Sequence, residues 1–463
     1  MHIPLSPPPL EKLIASLDPA QVASVFGAGD PPQPIVGGRY LHWDELRHRP
    51  PPEGLSHEQW WLRIKIARQS QYKELPLLDK HGEAFVLCTP EPVQIDLHHI
   101  DRDATGHIVL GQTITTEHRD RYLMRSLIEE AITSSQLEGA STTRRVAEKM
   151  LREGRRPRDA SEKMIFNNFR AMEIIRERRN EAITPQGILD LHRAVSEDTL
   201  EHAGDSGHLR RDNEISVRDR QDNTLLHQPP DWRELPERLE RLCTFANQDE
   251  GATPFVHPVL RAILLHFMIG YDHPFADGNG RTARALFYWS MAKSGYWLTE
   301  FISISQFLRQ APTRYVKAYL HSETDANDTT YFVIHQLATM RKAVQALLDY
   351  LERTIAEQRE TEKLLSRSSE LRSRLNHRQI ALLTHALKHP GEEYRVDSHQ
   401  RTHGVVYQTA RADLLALVNL GLLSKWQAGK AHIFAAPEDL RERLTRLVGQ
   451  VRTAAPENPF VIS

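Results

Sequence analysis

Twelve consecutive residues, His273 to Arg284 (His-Pro-Phe-Ala-Asp-Gly-Asn-Gly-Arg-Thr-Ala-Arg), bring together an imidazole, a carboxylate, an asparagine between two glycines and two guanidiniums. Residues of these types are suited to holding a nucleoside triphosphate while one of its phosphoryl groups is transferred. His273 is the group of the loop that titrates near neutrality, so it can accept the proton of an incoming hydroxyl. Asp277 offers carboxylate oxygen to a hard cation, and Mg2+ normally travels with nucleotide phosphates. A helix that starts at the glycines aims the amides of Gly278, Asn279 and Gly280 at one small volume, a nest for phosphate oxygens. Glycine there lets a bulky anion approach the backbone. Arg281 and Arg284 are three apart on that helix, so both can fork onto successive phosphates. Phe275 should point the other way and anchor the loop in the core.

The run resembles the Fic (filamentation induced by cAMP) motif, His-Pro-Phe-x-Asp/Glu-Gly-Asn-Gly-Arg-x-x-Arg, at every specified position. The resemblance implies transfer of AMP from ATP to a Ser, Thr or Tyr hydroxyl of a target protein, with ATP as substrate and Mg2+ as cofactor. It makes His273 the base and Asp277 the Mg2+ ligand. Asn279, with Gly278 and Gly280, would hold the α-phosphate, and Arg281 and Arg284 the β- and γ-phosphates. The resemblance runs from about Arg119 to Gln336. Within it, Gly207-His-Leu-Arg210 and the segment that follows resemble the family's flap, which binds the target by strand addition. Tyr315, and Asn327 in the stretch Asp325 to Asp328, lie where family members build the adenine pocket.

A second motif lies upstream. Ile128, Ala131, Ser135 and Glu138 fall on one helical stripe, which turns the Glu138 carboxylate inward, where it needs a cationic partner. The opposing reading is a solvent-facing charge at a helix end, with Gly139 as an ordinary C-cap. Ser134-x-x-x-Glu138-Gly139 resembles the inhibitory motif Ser/Thr-x-x-x-Glu-Gly/Asn. The resemblance implies that Glu138 pairs with Arg284 and takes the γ-phosphate position, so that the enzyme is self-inhibited. In some family members the same glutamate also positions a water that removes AMP from the target.

The composition limits the alternatives. A chain of 463 residues with formal net charge −2 exceeds one ordinary domain and has no global affinity for nucleic acid or anionic membrane. Its two cysteines, Cys88 and Cys243, give neither a disulfide framework nor a zinc site. The N-terminus does not read as a secretory signal, and the most apolar stretch, Ala262 to Tyr271, is about half the length of a membrane span. A cytoplasmic protein without a membrane partner is expected.

The elements that must position the site are mainly α-helical: a helical Fic core with a small β-hairpin flap, and a C-terminal winged helix-turn-helix. Residues 1–115 are Pro-rich and read as an irregular accessory region, with a short strand pair near Ala84 to Cys88 turning at His81-Gly82. Residues 116–340 form the core, its inhibitory helix at about 120–139. A helix begins at Thr184-Pro185. Another opens at Pro258 and runs up to His273, and the next follows from Arg281. Ile215 to Arg218 and Leu225-Leu226 read as the flap hairpin. Residues 341–370 are a helical linker. Residues 371–445 read as three helices and a hairpin turning at Gln427-Ala428-Gly429-Lys430, and 446–463 as a tail.

From Leu371 to Phe434 nine Lys/Arg stand against four Asp/Glu. Arg401, Gln408, Thr409 and Arg411 could face a DNA groove, with Lys425 and Lys430 on phosphates. A protein-docking or structural winged helix is the equal alternative. Three functions stay open: a self-inhibited adenylyltransferase, another Fic-type nucleotidyl, phosphate or phosphocholine transfer, and a DNA-binding regulator whose core senses nucleotide. Self-association is common among relatives, so a homodimer is open too.

Overall fold

The computed structural model describes residues 2–18, 21–22, 25, 31–104, 116–219, 221–366, 375–389, 391–428 and 431–453. It divides into two compact units: residues 1–112, 126–147 and 157–344, and residues 113–125, 148–156 and 345–463. Helices dominate both, and the strands are short.

The first unit begins with α1 (Leu10–Ala15), α2 (Trp43–Leu46) and α3 (His57–Gln69). The expectation of an irregular N-terminal region is therefore corrected. The prolines separate these helices rather than interrupt them, and α3 starts at a full capping box between Ser56 and Gln59. The antiparallel hairpin β1 (Lys73–Leu78) and β2 (Ala84–Leu87) follows, with Gly82 at φ +83° in its turn, and then α4 (Glu91–Ala104).

This region is part of the first unit's core, not an appendage. Val86 donates its N–H to Asn327 O at 3.0 Å and accepts from Thr329 N at 2.9 Å, so β2 holds the 325–329 loop. Beneath it, Lys65 Nζ meets Asp325 Oδ1 at 2.6 Å, and Tyr331 donates to Asp325 Oδ2 at 2.7 Å. Tyr40 and Tyr72 donate to Asp328 Oδ2 at 2.6 and 2.8 Å. Breaking a buried ion pair from one side strands the other charge. Lys65→Met leaves Asp325 with Arg68 at 3.8 Å and is thus expected to cost about 3 kcal/mol in urea unfolding, the lower end for a broken buried pair; a loss below about 1 kcal/mol, the range of an exposed pair, would contradict this account.

The chain continues through α5 (Thr116–Leu137), α6 (Arg144–Glu153), α7 (Ala160–Glu177) and α8 (Pro185–Ser196). Helix α8 starts as expected, with the Thr184 hydroxyl accepting from Gly187 N at 3.0 Å and proline at the first position. The strands β3 (Val217–Arg218) and β4 (Leu225–His227) pair antiparallel as the anticipated hairpin. After α9 (Leu235–Ala246) come α10 (Pro258–Asp272) and α11 (Asn279–Lys293), which pack on each other. Almost every residue of α10 is buried, the pattern of a core helix rather than an amphipathic one. Helices α12 (Ile304–Gln310) and α13 (Pro312–Thr324) precede α14 (Thr330–Ser366). The expected separate linker helix is the continuation of α14, because nothing between Thr330 and Ser366 caps or breaks it.

The second unit holds α15 (His377–Lys388), β5 (Glu393–Arg395), α16 (Val396–His403), α17 (Tyr407–Asn419), β6 (Ser424–Ala428), β7 (Ala431–Ala435) and α18 (Leu440–Thr453). Its sheet has the order β5-β7-β6, one strand more than the sequence suggested. Leu383, Leu414, Leu417, Leu422 and Phe434 form its core, and Leu440, Leu444 and Leu447 of α18 cover it. Part of the expected tail is therefore helical. Arg401 is exposed, and its Nη1 donates to Arg152 O at 2.6 Å, at the end of α6. Gly429 and Lys430 lie outside the described residues, as does 454–463. Both cysteines are free and buried, and among the described residues no helix is long and apolar enough to cross a membrane.

Candidate active site

The site forms where α10 ends and α11 begins. His273 takes φ +42°, ψ +59° and caps α10, its N–H reaching Ile269 O at 3.1 Å. A left-handed histidine is costly unless it is held. It is held twice: its Nδ1 donates to Gly270 O at 2.5 Å, and its carbonyl accepts from Arg210 Nε at 2.9 Å. With the proton fixed on Nδ1, Nε2 carries the lone pair. Burial, opposed by the Gly270 bond, lowers the imidazole pKa to about 4, so the ring is neutral at physiological pH.

Phe275 is fully buried, as expected, and stacks on His192 with ring centroids 3.7 Å apart. His192 joins three segments, since its Nε2 donates to Asp277 O at 2.9 Å while its Nδ1 accepts from Gly207 N at 3.0 Å. Arg210 does the same on the flap side. Its N–H donates to Pro274 O at 2.9 Å, and its guanidinium reaches Asp212 O at 2.6 Å and Pro230 O at 2.5 Å. Neither residue stands out in sequence, where each is one more polar residue distant from the loop it braces.

Two details of the expected nest change. The Gly278 amide is already donated to Asp277 Oδ1 at 2.6 Å. The Asn279 side chain bonds within the loop, accepting from Phe275 N at 3.0 Å and donating to Phe275 O at 2.8 Å. The amides left to face an anion are those of α11's first turn, Asn279, Gly280 and Arg281, which have no carbonyl four residues behind them in the helix. Asp277 keeps a carboxylate 61% exposed, 3.4 Å from Arg281 Nη2. Arg281 is fully buried and donates to Val195 O at 2.7 Å, while its Nε is a buried donor without a partner among the described residues.

Arg284 is engaged from across the molecule. Its Nε donates to Ser134 Oγ at 2.8 Å, and its Nη2 to Ser134 O at 3.0 Å and to Glu138 Oε1 at 2.7 Å. Ser134 is 1% exposed and the Glu138 side chain 24%, so the pair is largely sheltered from water. Glu138 follows the last residue of α5, and Gly139 at φ +103° turns the chain away. A Cβ on Gly280 would collide with Glu138 Oε1 and lie 3.0 Å from Arg284 Nη1. The carboxylate thus rests on the first turn of α11, where helix amides and dipole favour an anion.

The proposed adenine-side residues are placed differently from each other. Tyr315 is half-buried, its hydroxyl 2.7 Å from His266 Nε2; desolvation raises its pKa and the charge of Arg284 opposes the rise. Asn327 at φ +60° donates to Asp79 Oδ2 at 3.1 Å, bracing the loop to the N-terminal hairpin. Among the described residues no group of three or more His, Cys, Asp or Glu could hold a metal by itself.

Comparison with known proteins gives the following. Residues 182–291 match the family model described as Fic/DOC family. A stretch of 116 residues, 25% of this chain, is 35% identical to the protein adenylyltransferase Fic of Drosophila melanogaster and covers 21% of it. The protein of the same name from Culex quinquefasciatus is 26% identical over 260 residues, 53% of this chain and 48% of its own length. A Fic family protein of known crystal structure, from Desulfovibrio desulfuricans G20, is 17% identical with a TM-score of 0.48, covering 75% of this chain and 96% of its own. The chain thus spans about a fifth to a half of the length of the curated relatives it matches.

Proposed function

Because residues 182–291 carry a domain of the Fic/DOC family, we propose that this chain is a self-inhibited protein adenylyltransferase that moves AMP from ATP to a Ser, Thr or Tyr hydroxyl of a target protein. The observation that carries the reading is the Arg284 guanidinium. It stands in the second turn of α11, one turn after the unpaired amides of the helix start, and is held by Ser134 and Glu138.

In the transfer, the target hydroxyl oxygen attacks the α-phosphorus while the bond to the bridging α–β oxygen breaks and pyrophosphate departs. His273 Nε2 takes the hydroxyl proton. The amides of Asn279, Gly280 and Arg281 receive phosphate oxygens, and Arg281 and Arg284 neutralise the outer phosphates. The protein's contribution is placement and charge more than covalent chemistry.

Mg2+ fits as a companion of the nucleotide rather than a resident ion: one exposed carboxylate, Asp277, stands beside the nest, and such ions take one or two carboxylates plus substrate phosphates. When bound it would neutralise charge on the phosphates. The adenine would lie on the Tyr315 side.

Incubating the Glu138→Gly variant with labelled ATP and lysate tests the reading. Label from the α-phosphate in protein supports it, whereas γ-phosphate label alone indicates phosphate transfer. Release of AMP from modified target on adding wild-type chain would identify hydrolytic removal, in which water replaces the target oxygen on the phosphorus.

A lowered imidazole pKa has a visible consequence. Below its pKa the ring is protonated and cannot accept the hydroxyl proton. Because the Glu138 charge raises the His273 pKa, the acid limb of the rate in Glu138→Gly is expected at or below about pH 4; a half-maximal point at the ordinary value of 6.5 would contradict the described setting of His273.

Arg210→Ala, made in the same activated variant, is expected to lower kcat by about ten- to a hundredfold with little change in nucleotide affinity, since it shifts the catalytic loop and the flap base together. An unchanged kcat would show that the clamp is dispensable.

In the second unit, the order helix, strand, two helices and hairpin supports a winged-helix reading of residues 377–435. Gln408, Arg411 and Lys425 are exposed there. Salt-dependent retention on duplex DNA tests this module for DNA, and co-purification of a protein tests the docking alternative.

A further inference from the structure

Glu130 lies two turns before Glu138 on α5 and is 2% exposed. A carboxylate that deep is costly unless its lone pairs are filled. They are filled by four neutral donors. Glu130 Oε2 accepts from Tyr288 Oη at 3.0 Å, Ser303 Oγ at 2.7 Å and Ser305 N at 3.2 Å. Glu130 Oε1 accepts from the Ser305 hydroxyl. One turn along, Thr133 Oγ1 lies 3.1 Å from Ser303 Oγ.

The socket has a specific address. Tyr288 stands one turn after Arg284 on α11, and its hydroxyl also accepts from Ile304 N at 2.9 Å, which fixes the ring against the start of α12. Glu130 is therefore bonded to the same helix that presents Arg284, and to the 303–305 turn beside it. The contacts that engage Arg284 are of another kind. They are made to the long side chain of Arg284, through Ser134 and through the partly exposed Glu138 just past the last residue of α5. Glu130 gives the helix a directional attachment of its own, through the hydroxyls of Tyr288, Ser303 and Ser305 and the Ser305 N–H, beside the apolar packing of Leu127, Ile128, Ala131 and Ile132.

We propose that Glu130 is a positioning residue that docks the inhibitory helix against α11 and so sets Ser134 and Glu138 on Arg284. This rests on the reading of Glu138 as a brake. Glu130 itself touches neither the anion site nor His273. Losing it loosens the helix and takes one nearby negative charge from Arg284, but removes no group assigned to ATP or to the proton, so Glu130→Ala should resemble Glu138→Gly in outcome.

The test is a double-mutant cycle in the full chain, reading AMP transfer from α-labelled ATP alongside thermal unfolding and amide exchange. Glu130→Ala is expected to raise transfer at least about fivefold. Glu130→Ala/Glu138→Gly is expected to match Glu138→Gly alone, since both changes release one brake. A purely structural role for Glu130 would instead lower transfer in both backgrounds. A folded Glu130→Ala at wild-type activity, beside an activated Glu138→Gly, overturns the proposal. Should Glu130→Ala not fold, Ser305→Ala removes one of the socket's four bonds, the hydroxyl's, and is judged by the same comparison. If Glu138→Gly itself brings no activation, the brake reading fails. Amide exchange then decides the anchor separately: faster exchange across 126–138 in Glu130→Ala, with 273–284 unchanged, supports it, and unchanged exchange refutes it.

Discussion

Glu138→Gly is expected to raise AMP transfer at least about tenfold over the wild-type chain, a barrier change of about 1.4 kcal/mol. The margin is there. Separating a buried ion pair costs about 3–5 kcal/mol, and the 24% exposure of Glu138 places this pair toward the lower figure. A triphosphate must take Arg284 Nη2 from that carboxylate and must also share the first turn of α11 with it. Competition between two anions for one helix start leaves ATP either excluded or bound with its α-phosphate out of line. Removing the side chain at residue 138 leaves Arg284 with both Ser134 bonds, so the guanidinium stays oriented. Steady-state labelling of any target, with thermal unfolding as control for folding, reads the effect.

His273→Ala in the Glu138→Gly background should abolish most of that gain, by about 10²- to 10⁴-fold, the range for a positioned general base. ATP affinity should change little, because the residue holds no phosphate-facing donor: its Nδ1 is given to Gly270 O and its carbonyl to Arg210. A loss of nucleotide affinity comparable to the loss of rate would assign His273 to binding instead. His273→Gln should not rescue the reaction, since an amide keeps a hydrogen bond but cannot accept a proton near neutral pH.

The parts of the site that are legible in the sequence are those whose chemistry is packed into adjacent residues. From His273 to Arg284 the spacing alone puts base, carboxylate, amides and guanidiniums in one place. Glu138 is legible because Ile128, Ala131 and Ser135 share its stripe, and the structure buries all three. What escapes depends on contacts that a linear pattern does not carry. Arg210 acts through backbone carbonyls of Pro230 and His273, and His192 through Asp277 O and Gly207 N. Glu130 reads as one of two adjacent glutamates, and only the distant Tyr288, Ser303 and Ser305 make it a buried anchor. The bonds of the Gly278 amide to Asp277 and of the Asn279 side chain to Phe275 lie within the loop, and residue type and spacing do not announce them.

The fold divides along similar lines. Periodicity and caps locate α8, α10, α11 and the flap hairpin, where proline, threonine and turn residues mark the ends. They fail at Glu393–Arg395, a strand of three residues whose partner lies in β7. They fail also in the first hundred residues, where proline clusters conceal α3 and α4. The Lys65–Asp325 pair, 260 residues apart in the chain, ties that region to the core and has no local signature.

The central claim is a transfer centre at 273–284 held off by Glu138, and one labelling series tests it most directly. Wild type, Glu138→Gly and Glu138→Gly/His273→Ala are incubated with α-phosphate-labelled ATP and lysate. Label on protein in the second sample alone is the predicted result. Equal label in wild type and Glu138→Gly, or undiminished label in the double variant, would contradict it.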